Sequence, residues 1–267
     1  MATDTASVGA AGVIRHRGLS RASVVRLAVV VLFIAAVELL CRIGIIPLNV
    51  MIAPSDMAAH CVELLRAGKF DHDIAISLGN IVSAAILSVL LGFAVGVVLH
   101  SAPRVRAAVE PLLSAYYAVP TFVFYPVFIV LLGVGAAPIV AIAVLLAVVS
   151  MVTATLTGLD RIPRALHKTA LALRLSPWQS AMRVKLPAAL PYLFTGVKLS
   201  VAYAFIGVIA SEFILSGSGI GYAIGYAYNN FENRDMYALM FLVLVLVTLI
   251  NMALNAVDRR LQARRRR

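Results

Sequence analysis

The sequence predicts an all-α membrane protein with six transmembrane helices and both termini in the cytoplasm. The first observation is composition: 62% of the 267 residues are hydrophobic and 13% are charged, whereas a soluble domain has about 45–50% apolar and about 25% charged residues. The second is a series of apolar runs, and the third is an uneven placement of basic residues. These features exclude an ordinary soluble enzyme, a disordered chain and a nucleic-acid-binding protein, despite the net charge of +11.

The apolar runs give the positions of the spans, since a membrane helix needs about 20 residues. The first run stops at Pro47, and the third contains Pro120 and Pro126. The six predicted spans cover residues 27–46, 74–99, 112–132, 139–157, 199–215 and 236–256. An even number of spans returns the chain to the side on which it began.

Basic residues orient these spans. Four lie in the N-terminal segment, two follow the second span, seven follow the fourth span and six lie at the C-terminus, so nineteen of the 23 Lys and Arg share one side. The positive-inside rule assigns that side to the cytoplasm. We therefore expect a disordered cytoplasmic tail at 1–22, a six-span domain at 23–258 and a basic cytoplasmic tail at 259–267.

Three local patterns carry structural expectations. Residues 54–68 predict a short helix on the outer surface, capped by Ser55. Glu38 and Arg42 are four residues apart in the first span and are expected to pair. Gly92 and Gly96 form a face of small residues that favours close helix packing.

The 41-residue segment 158–198, between the fourth and fifth spans, is unusually long and rich in basic residues. Residues 164–175 have helical spacing of alanine and leucine, and Ser176-Pro177 interrupts them and can begin a second helix over 178–184. Leu186-Pro187 and Pro191 are expected to end that helix. The segment predicts two short helices along the cytoplasmic surface, either as a partner-binding loop or as an amphipathic surface hairpin.

This loop resembles the cytoplasmic EAA loop of ABC-type importer permeases, the inner-membrane components of binding-protein-dependent transport. Ala170, Val184, Leu186 and Pro187 match the family pattern, while Lys168 replaces its Glu and Arg174 replaces its Gly. The resemblance extends over roughly residues 70–260, including Ser211-Glu212-Phe213 and 218–222. Those stretches resemble the subfamily that imports nitrate, sulfonates, taurine or related molecules.

The resemblance implies a type I ABC importer permease-like fold in a bacterial inner membrane, surrounded by lipid. It implies a homodimer of permease chains, two ATPase subunits below it and a periplasmic or lipid-anchored solute-binding protein above it. ATP and magnesium would bind to the ATPase, because this sequence has no G-x-x-x-x-G-K-[ST] motif. The chain is therefore expected to be a transport subunit and not an enzyme, with no catalytic residue, no resident cofactor and no nucleic-acid partner.

The resemblance assigns ATPase coupling to the loop. The candidate coupling residues are Lys168, Ala170, Leu171, Leu173, Arg174, Ser176, Trp178, Gln179, Leu186 and Pro187. Glycine at position 174 could adopt a positive φ, which costs an arginine about 1 kcal/mol or more. Either the turn geometry differs here, or Arg174 pairs with an acidic group of the ATPase, which is the hypothesis we prefer.

Polar and proline residues within the spans are candidates for the solute pathway or gate, or they only shape packing. Prolines bend membrane helices and free carbonyl groups, and a carboxylate at membrane depth usually faces protein or water. Glu212 therefore contacts solute, braces a gate or bonds to a neighbouring helix. The candidates are Tyr116, Tyr117, Pro120, Thr121, Tyr125, Pro126, Ser150, Thr153 and Glu212.

The outer segment 216–230 alternates glycine with tyrosine, which permits tight re-entrant turns at the membrane surface. By resemblance it would face the binding protein, with Gly217, Gly219, Gly221 and Tyr222 as the candidate residues. The scattered histidines predict no metal site. A self-sufficient channel or secondary transporter is the alternative function, and the solute is left open because the binding protein selects it.

Overall fold

The computed structural model describes residues 21–47 and 50–265, and within these ranges the regular structure is helical. The tail expected at 1–22 lies almost wholly outside the described residues. The helices, in chain order, are α1 (Arg21–Arg42), α2 (Pro54–Ala67), α3 (Asp71–Ser101), α4 (Pro103–Ala115), α5 (Tyr125–Leu132), α6 (Ala136–Asp160), α7 (Arg164–Ala172), α8 (Pro177–Ser180), α9 (Leu186–Leu215), α10 (Ile220–Asn229) and α11 (Asn233–Arg265).

Five helical segments in the described ranges are long and apolar enough to cross a membrane, and a bent pair makes a sixth if it counts as one span. The five segments are Val24–Arg42, Asp71–Ser101, Ala136–Asp160, Pro177–Ile214 and Asn233–Arg260. With the bent pair counted as one span, the predicted all-α fold with six spans is confirmed.

The third predicted span is strongly bent, in agreement with the bend expected from its prolines. Residues Pro103–Ala118 and Thr121–Leu132 form two helical arms that meet at 93°. Val119 is extended, with φ −81° and ψ 120°, because the ring of Pro120 disfavours helical geometry in the residue before it. Pro126 lies in the first turn of α5, where a missing N–H needs no partner.

The expectation that Leu186-Pro187 and Pro191 end the second helix of the loop is wrong. A five-residue π-helical turn, Ala181–Lys185, follows α8 and leads directly into α9. Pro187 lies in the first turn of α9 and Pro191 lies inside it. The fifth span therefore begins about thirteen residues before the predicted start, since proline is tolerated in a first helical turn.

The described residues up to Ser55 form one compact unit. In it, the expected pair of Glu38 and Arg42 is confirmed, with 2.6 Å between Arg42 Nε and Glu38 Oε1. Ser55 donates from its backbone N–H to Glu38 Oε2 at 3.0 Å and from its hydroxyl to Oε1 at 2.7 Å. The Glu38 carboxylate is thus held by three donors.

Residues from Asp56 onward form the second unit, whose centre is the packing of α3, α6 and α9. A Cβ atom on Gly92 would lie 2.6 Å from Met151 Cβ, and one on Gly96 would lie 2.6 Å from Thr155 Cβ. Both distances are too short for real atoms, so the backbones of α3 and α6 approach closely only because these residues are glycine. This confirms the packing role expected for the pair.

Candidate functional site

The loop 158–198 is held by hydrogen bonds between residues close in sequence. At the end of α7, Arg174 N–H donates to Leu171 O at 3.0 Å and Leu175 N–H donates to Ala170 O at 3.1 Å. This is the Schellman pattern, which places the residue after the helix in the left-handed region. Arg174 occupies that position with φ 47°.

The φ angle of Arg174 tests the first of the two explanations for arginine in place of glycine. The turn has the positive φ that glycine would adopt, so a changed turn geometry is not the explanation. An arginine in this region costs about 1–2 kcal/mol more than a residue without Cβ. The Arg174 side chain is exposed, and its pairing with an acidic group of the ATPase stays a prediction.

The second helix of the loop begins with a capping box. Gln179 N–H donates to Ser176 Oγ at 3.2 Å, and Ser176 N–H donates to Gln179 Oε1 at 3.1 Å. Pro177 occupies the first helical position, where its fixed φ suits the helix. Ser176 and Gln179 therefore fix the start of this helix through their two reciprocal hydrogen bonds.

Between these two caps the loop exposes large apolar side chains. Leu171 is 78% exposed, Leu173 65% and Trp178 70%. Ala170, by contrast, is buried. Of the other candidates, Lys168 and Pro187 are exposed and Leu186 is half-buried. A fixed backbone that presents leucine and tryptophan outward forms a surface suited to a protein partner.

A second polar constellation lies at the far end of α9, around the buried carboxylate of Glu212. Its side chain is wholly buried. Ser77 Oγ donates to Glu212 Oε2 at 2.5 Å, and Asn80 Nδ2 donates to Oε1 at 3.2 Å. Both donors come from α3, one turn apart on the same face. Of the three roles considered for Glu212, bonding to a neighbouring helix is therefore the one that these contacts show.

The same carboxylate binds the N-terminus of α10. Three successive backbone N–H groups there donate to side chains of other helices: Gly219 to Asp73 Oδ1 at 2.8 Å, Ile220 to Ser77 Oγ at 2.7 Å, and Gly221 to Glu212 Oε2 at 3.2 Å. Carboxylates suit this position because a helix N-terminus carries a partial positive charge. Glu212 thus joins α3, α9 and α10.

Glycine is required at two positions of this constellation. Gly219 has φ +101°, and a Cβ there would lie 2.5 Å from Glu212 Oε2. A Cβ on Gly221 would lie 2.6 Å from Glu212 Cβ. Gly217, in contrast, is exposed and has nothing near it. The glycines of the outer segment therefore differ in role, and two of them make room for the carboxylate.

The outer segment is more regular than the glycine-tyrosine pattern suggests. Residues Ile220–Asn229 form α10, and Tyr222 lies in its first turn, half-buried. Ile220 and Ala223 pack in one apolar cluster with Cys61 of α2 and Leu239 of α11. The expectation of a loop of tight turns is wrong here, because the buried face of α10 stabilises a helix.

Beside this cluster, ionic contacts join α2 to α11. His60 Nε2 lies 2.6 Å from Asp235 Oδ1, and His60 Nδ1 lies 3.0 Å from Glu63 Oε2. Lys69 Nζ lies 2.5 Å from Asp235 Oδ2. The hydrogen bond to Asp235 is the largest cause that raises the pKa of His60. Sequence reasoning did not find this group, which is spread over 175 positions.

The pathway candidates fall into two groups in the structure. Tyr116 donates to Leu145 O at 2.9 Å, and the Tyr117 ring stacks on that of Tyr203 with 5.2 Å between centroids. These tyrosines lie beside the bend that contains Pro120. Thr121 and Tyr125 are buried there, whereas Pro120 and Pro126 are exposed. The bend therefore brings the aromatic candidates against α6 and α9.

The hydroxyl groups of α6 bond to backbone carbonyls. Ser150 donates to Ala147 O at 2.7 Å and lies 2.9 Å from the Ser200 hydroxyl, and Thr153 donates to Val149 O at 2.9 Å. This is the back-bonding expected of such residues in helices. Among the described residues, no group of three or more His, Cys, Asp or Glu side chains is placed to hold a metal ion.

Comparison with known proteins identifies relatives of this chain. Residues 88–267 match the family described as binding-protein-dependent transport system inner membrane component. A probable ABC transporter permease of Brucella melitensis is 29% identical over 79% of this chain and 86% of its own length. The nitrate import permease of Leptolyngbya laminosa is 26% identical, covering 68% of this chain and 64% of its own length.

A further permease and a solved structure are also similar to this chain. The taurine transport system permease of Escherichia coli is 26% identical, covering 70% of this chain and 68% of its own length. Among solved structures, an inward-facing conformation of the MetNI methionine ABC transporter superposes with a TM-score of 0.62 at 21% identity, over 71% of this chain and 94% of the matched chain. The latter likeness concerns the fold.

Proposed function

Because the chain belongs to the family of binding-protein-dependent transport inner membrane components, we propose that it is driven by a separate ATPase through the loop 158–198. The chain is an ABC importer permease of the inner membrane. The coupling route and the alternating-access cycle that it serves are the proposal. ATP and magnesium bind to the partner subunit.

The exposure of the loop carries this proposal. Leu171, Leu173 and Trp178 are each at least 65% exposed, although large apolar side chains gain about 1.5–3 kcal/mol each when they are fully buried. The Schellman turn and the capping box fix the backbone between them, so the surface does not collapse onto the chain. A soluble partner that covers these side chains would gain that free energy and would move the loop as one piece.

Movement of the loop reaches the spans because α8 and the π turn lead directly into α9. At the other end of α9, Glu212 is bonded to α3 and to the N-terminus of α10. A displacement of the loop by the ATPase therefore acts on a helix that extends to the outer constellation. We propose that this helix biases the spans between inward-facing and outward-facing states.

The proposed assembly contains two copies of this chain, two ATPase subunits and a solute-binding protein. The relatives named for nitrate import and for taurine transport favour a small anionic or zwitterionic solute such as nitrate, a sulfonate or taurine. Glu212 is fully bonded within the protein, so it is better suited to hold α10 than to contact such a solute. Selection of the solute is assigned to the binding protein.

Co-purification with the ATPase tests the coupling role. Wild-type chain is expected to retain the ATPase, and Leu173→Asp is expected to release it, because a carboxylate would be buried at the centre of the contact. Val105→Asp is the matched control: Val105 is also exposed on the predicted cytoplasmic side, but it lies outside the loop.

Two outcomes contradict the proposal. If both aspartate variants retain the ATPase equally, the loop is not the contact surface. If the purified chain alone carries out uptake into vesicles without ATP, it is a self-sufficient channel or carrier instead.

A further inference from the structure

A cavity of about 340 Å³ lies where the inner ends of α3, α6 and α9 meet the loop. Its volume falls within the range of about 300–1,000 Å³ that is typical of small-molecule sites. Its wall is mainly apolar and includes Phe93, Ile162, Met182 and Leu193, with Trp178 at one side. It is therefore too large for a packing defect and too apolar for a water-filled channel.

The polar lining of the cavity consists of Lys185, His100 and Ser101. Lys185 lines it and is half-buried. In the described part of the chain no ion pair joins Lys185 to a carboxylate. His100 lies at the same rim, 3.3 Å from Asp160, whose carboxylate is held by Arg106. An ammonium group beside an apolar chamber suits a ligand with an anionic head and an apolar body.

The position of the cavity identifies the source of such a ligand. Three spans end around it, on the side where basic residues are concentrated, which is the level of the inner-leaflet headgroups. That leaflet carries anionic lipids, which attract lysine and arginine near the surface. We propose that the cavity binds the headgroup and upper acyl chain of an anionic phospholipid, with Lys185 facing the phosphate and Trp178 and Met182 facing the chain.

This site adjoins the surface proposed to bind the ATPase and shares Trp178 with it. Leu171 and Leu173 do not line the cavity, whereas Trp178 does, so a bound lipid would support the loop from the membrane side. The inference does not depend on the coupling role, since the cavity belongs to this chain alone.

Trp178 makes the test direct, because it is the one tryptophan of the chain. The full-length protein is reconstituted in phosphatidylcholine vesicles that contain, at equal mole fraction, either brominated phosphatidylglycerol or brominated phosphatidylcholine. Bromine quenches a neighbouring indole. Brominated phosphatidylglycerol is expected to quench Trp178 at a mole fraction about two to five times lower than brominated phosphatidylcholine, the preference that a half-exposed ion pair supports.

Two variants separate the proposed site from general surface charge. Lys185→Gln is expected to abolish the preference for phosphatidylglycerol. Arg183→Gln removes the same charge from the same segment, but Arg183 does not line the cavity, so the preference is expected to persist. If Lys185→Gln fails to fold, Ala181→Leu narrows the cavity and keeps the charge, and it is expected to reduce quenching by both lipids.

Three results would overturn the inference. Equal quenching by the two brominated lipids would show that the head is not recognised. Equal losses in Lys185→Gln and Arg183→Gln would assign the preference to diffuse surface charge. No quenching by either lipid would mean that another occupant, such as a second copy of the chain, covers the cavity.

Discussion

The loop 158–198 and the Glu212 constellation both consist of helix ends held by side-chain and backbone caps, yet they differ in the reach of their hydrogen bonds. In the loop, the bonds join residues three to five positions apart. Around Glu212, the bond to Ser77 spans 135 positions. Local bonds fix a backbone but bury little, so Leu173 and Trp178 stay exposed. Long-range bonds bring helices together and bury the carboxylate itself.

This contrast separates a surface built for a partner from a motif built for internal packing. Both segments attract attention in the sequence for similar reasons: polar residues, glycine or proline, and breaks in apolar periodicity. Only the sequence separation of the hydrogen-bonded residues distinguishes them: the loop leaves its large apolar side chains exposed, whereas the Glu212 constellation is buried. Variants in each region should therefore affect different properties, which gives four ways to test the distinction.

The largest expected effect is that of Glu212→Leu on the docking of α10. The substitution leaves Asn80 Nδ2 and Gly221 N–H buried without an acceptor, and each such group costs about 1–3 kcal/mol. We expect a loss of about 3 kcal/mol, or about a hundredfold more of the undocked state. Maleimide labelling of Cys61, which is buried against α10, measures that population in a Cys41→Ser background.

Glu232→Leu serves as the control for this variant, because Glu232 is exposed and surface substitutions change stability by about 0.5 kcal/mol or less. If Glu212→Leu labels no faster than Glu232→Leu, the constellation does not hold α10. Faster labelling of Cys61 with unchanged ATPase binding would show that the Glu212 constellation serves internal packing and not the partner surface.

Gly221→Ala should have the next largest effect. Its Cβ would overlap Glu212 Cβ and the backbone of α9, and overpacking of this kind costs about 1–3 kcal/mol. Cys61 labelling is expected to rise by about thirtyfold. Gly217→Ala is the matched glycine, with nothing within 4 Å, and should leave the rate unchanged. Equal rates for the two alanine variants would mean that the close approach of α10 to α9 is not required.

In the loop 158–198, substitution of Arg174 by glycine should have a smaller effect on the free energy of unfolding, and one of opposite sign. Arg174→Gly removes the positive-φ strain and should stabilise the chain by about 1 kcal/mol, while weakening ATPase binding if Arg174 pairs with an acidic group there. Arg174→Ala removes the charge but keeps the strain. Both variants should therefore bind the ATPase less tightly, and only the glycine should unfold at higher temperature. Full ATPase stimulation and assembly by Arg174→Gly would reject the ion pair.

Sequence reasoning predicted best what depends on local pattern. The spans, the Glu38–Arg42 pair, the Gly92–Gly96 contact and the helix break at Ser176-Pro177 follow from periodicity, spacing and proline chemistry. The hydrogen bonds of Ser77 and Asn80 to Glu212 lie beyond such local patterns. Their partner Glu212 could not be inferred, because nothing in a single sequence states which helices are neighbours.

The errors have the same origin. Prolines at 187 and 191 predict the end of a helix, but tertiary packing of Ala189 and Leu193 against Met151 stabilises α9 through them. The glycines of the outer segment predict turns, yet packing against α2 and α11 makes α10 helical. In each case long-range burial outweighs a local preference.

The smallest effect is expected at the ionic cluster between α2 and α11, whose titratable group is the imidazole of His60. Asp235 and Glu63 raise the pKa of His60, while burial and Arg234 oppose them, and Lys69 shares Asp235. Since the folded pKa lies above the unfolded value of about 6.5, the stabilisation is complete below that pH and is lost as pH rises through the folded pKa. We expect a contribution of about 0.2–1 kcal/mol.

The unfolding temperature measured from pH 5.5 to 8.5 tests this contribution. It should decline in wild type and in His72→Asn, whose side chain is exposed, and should give a flatter profile in His60→Asn. Parallel profiles in all three proteins would show that His60 does not link α2 to α11 through its charge.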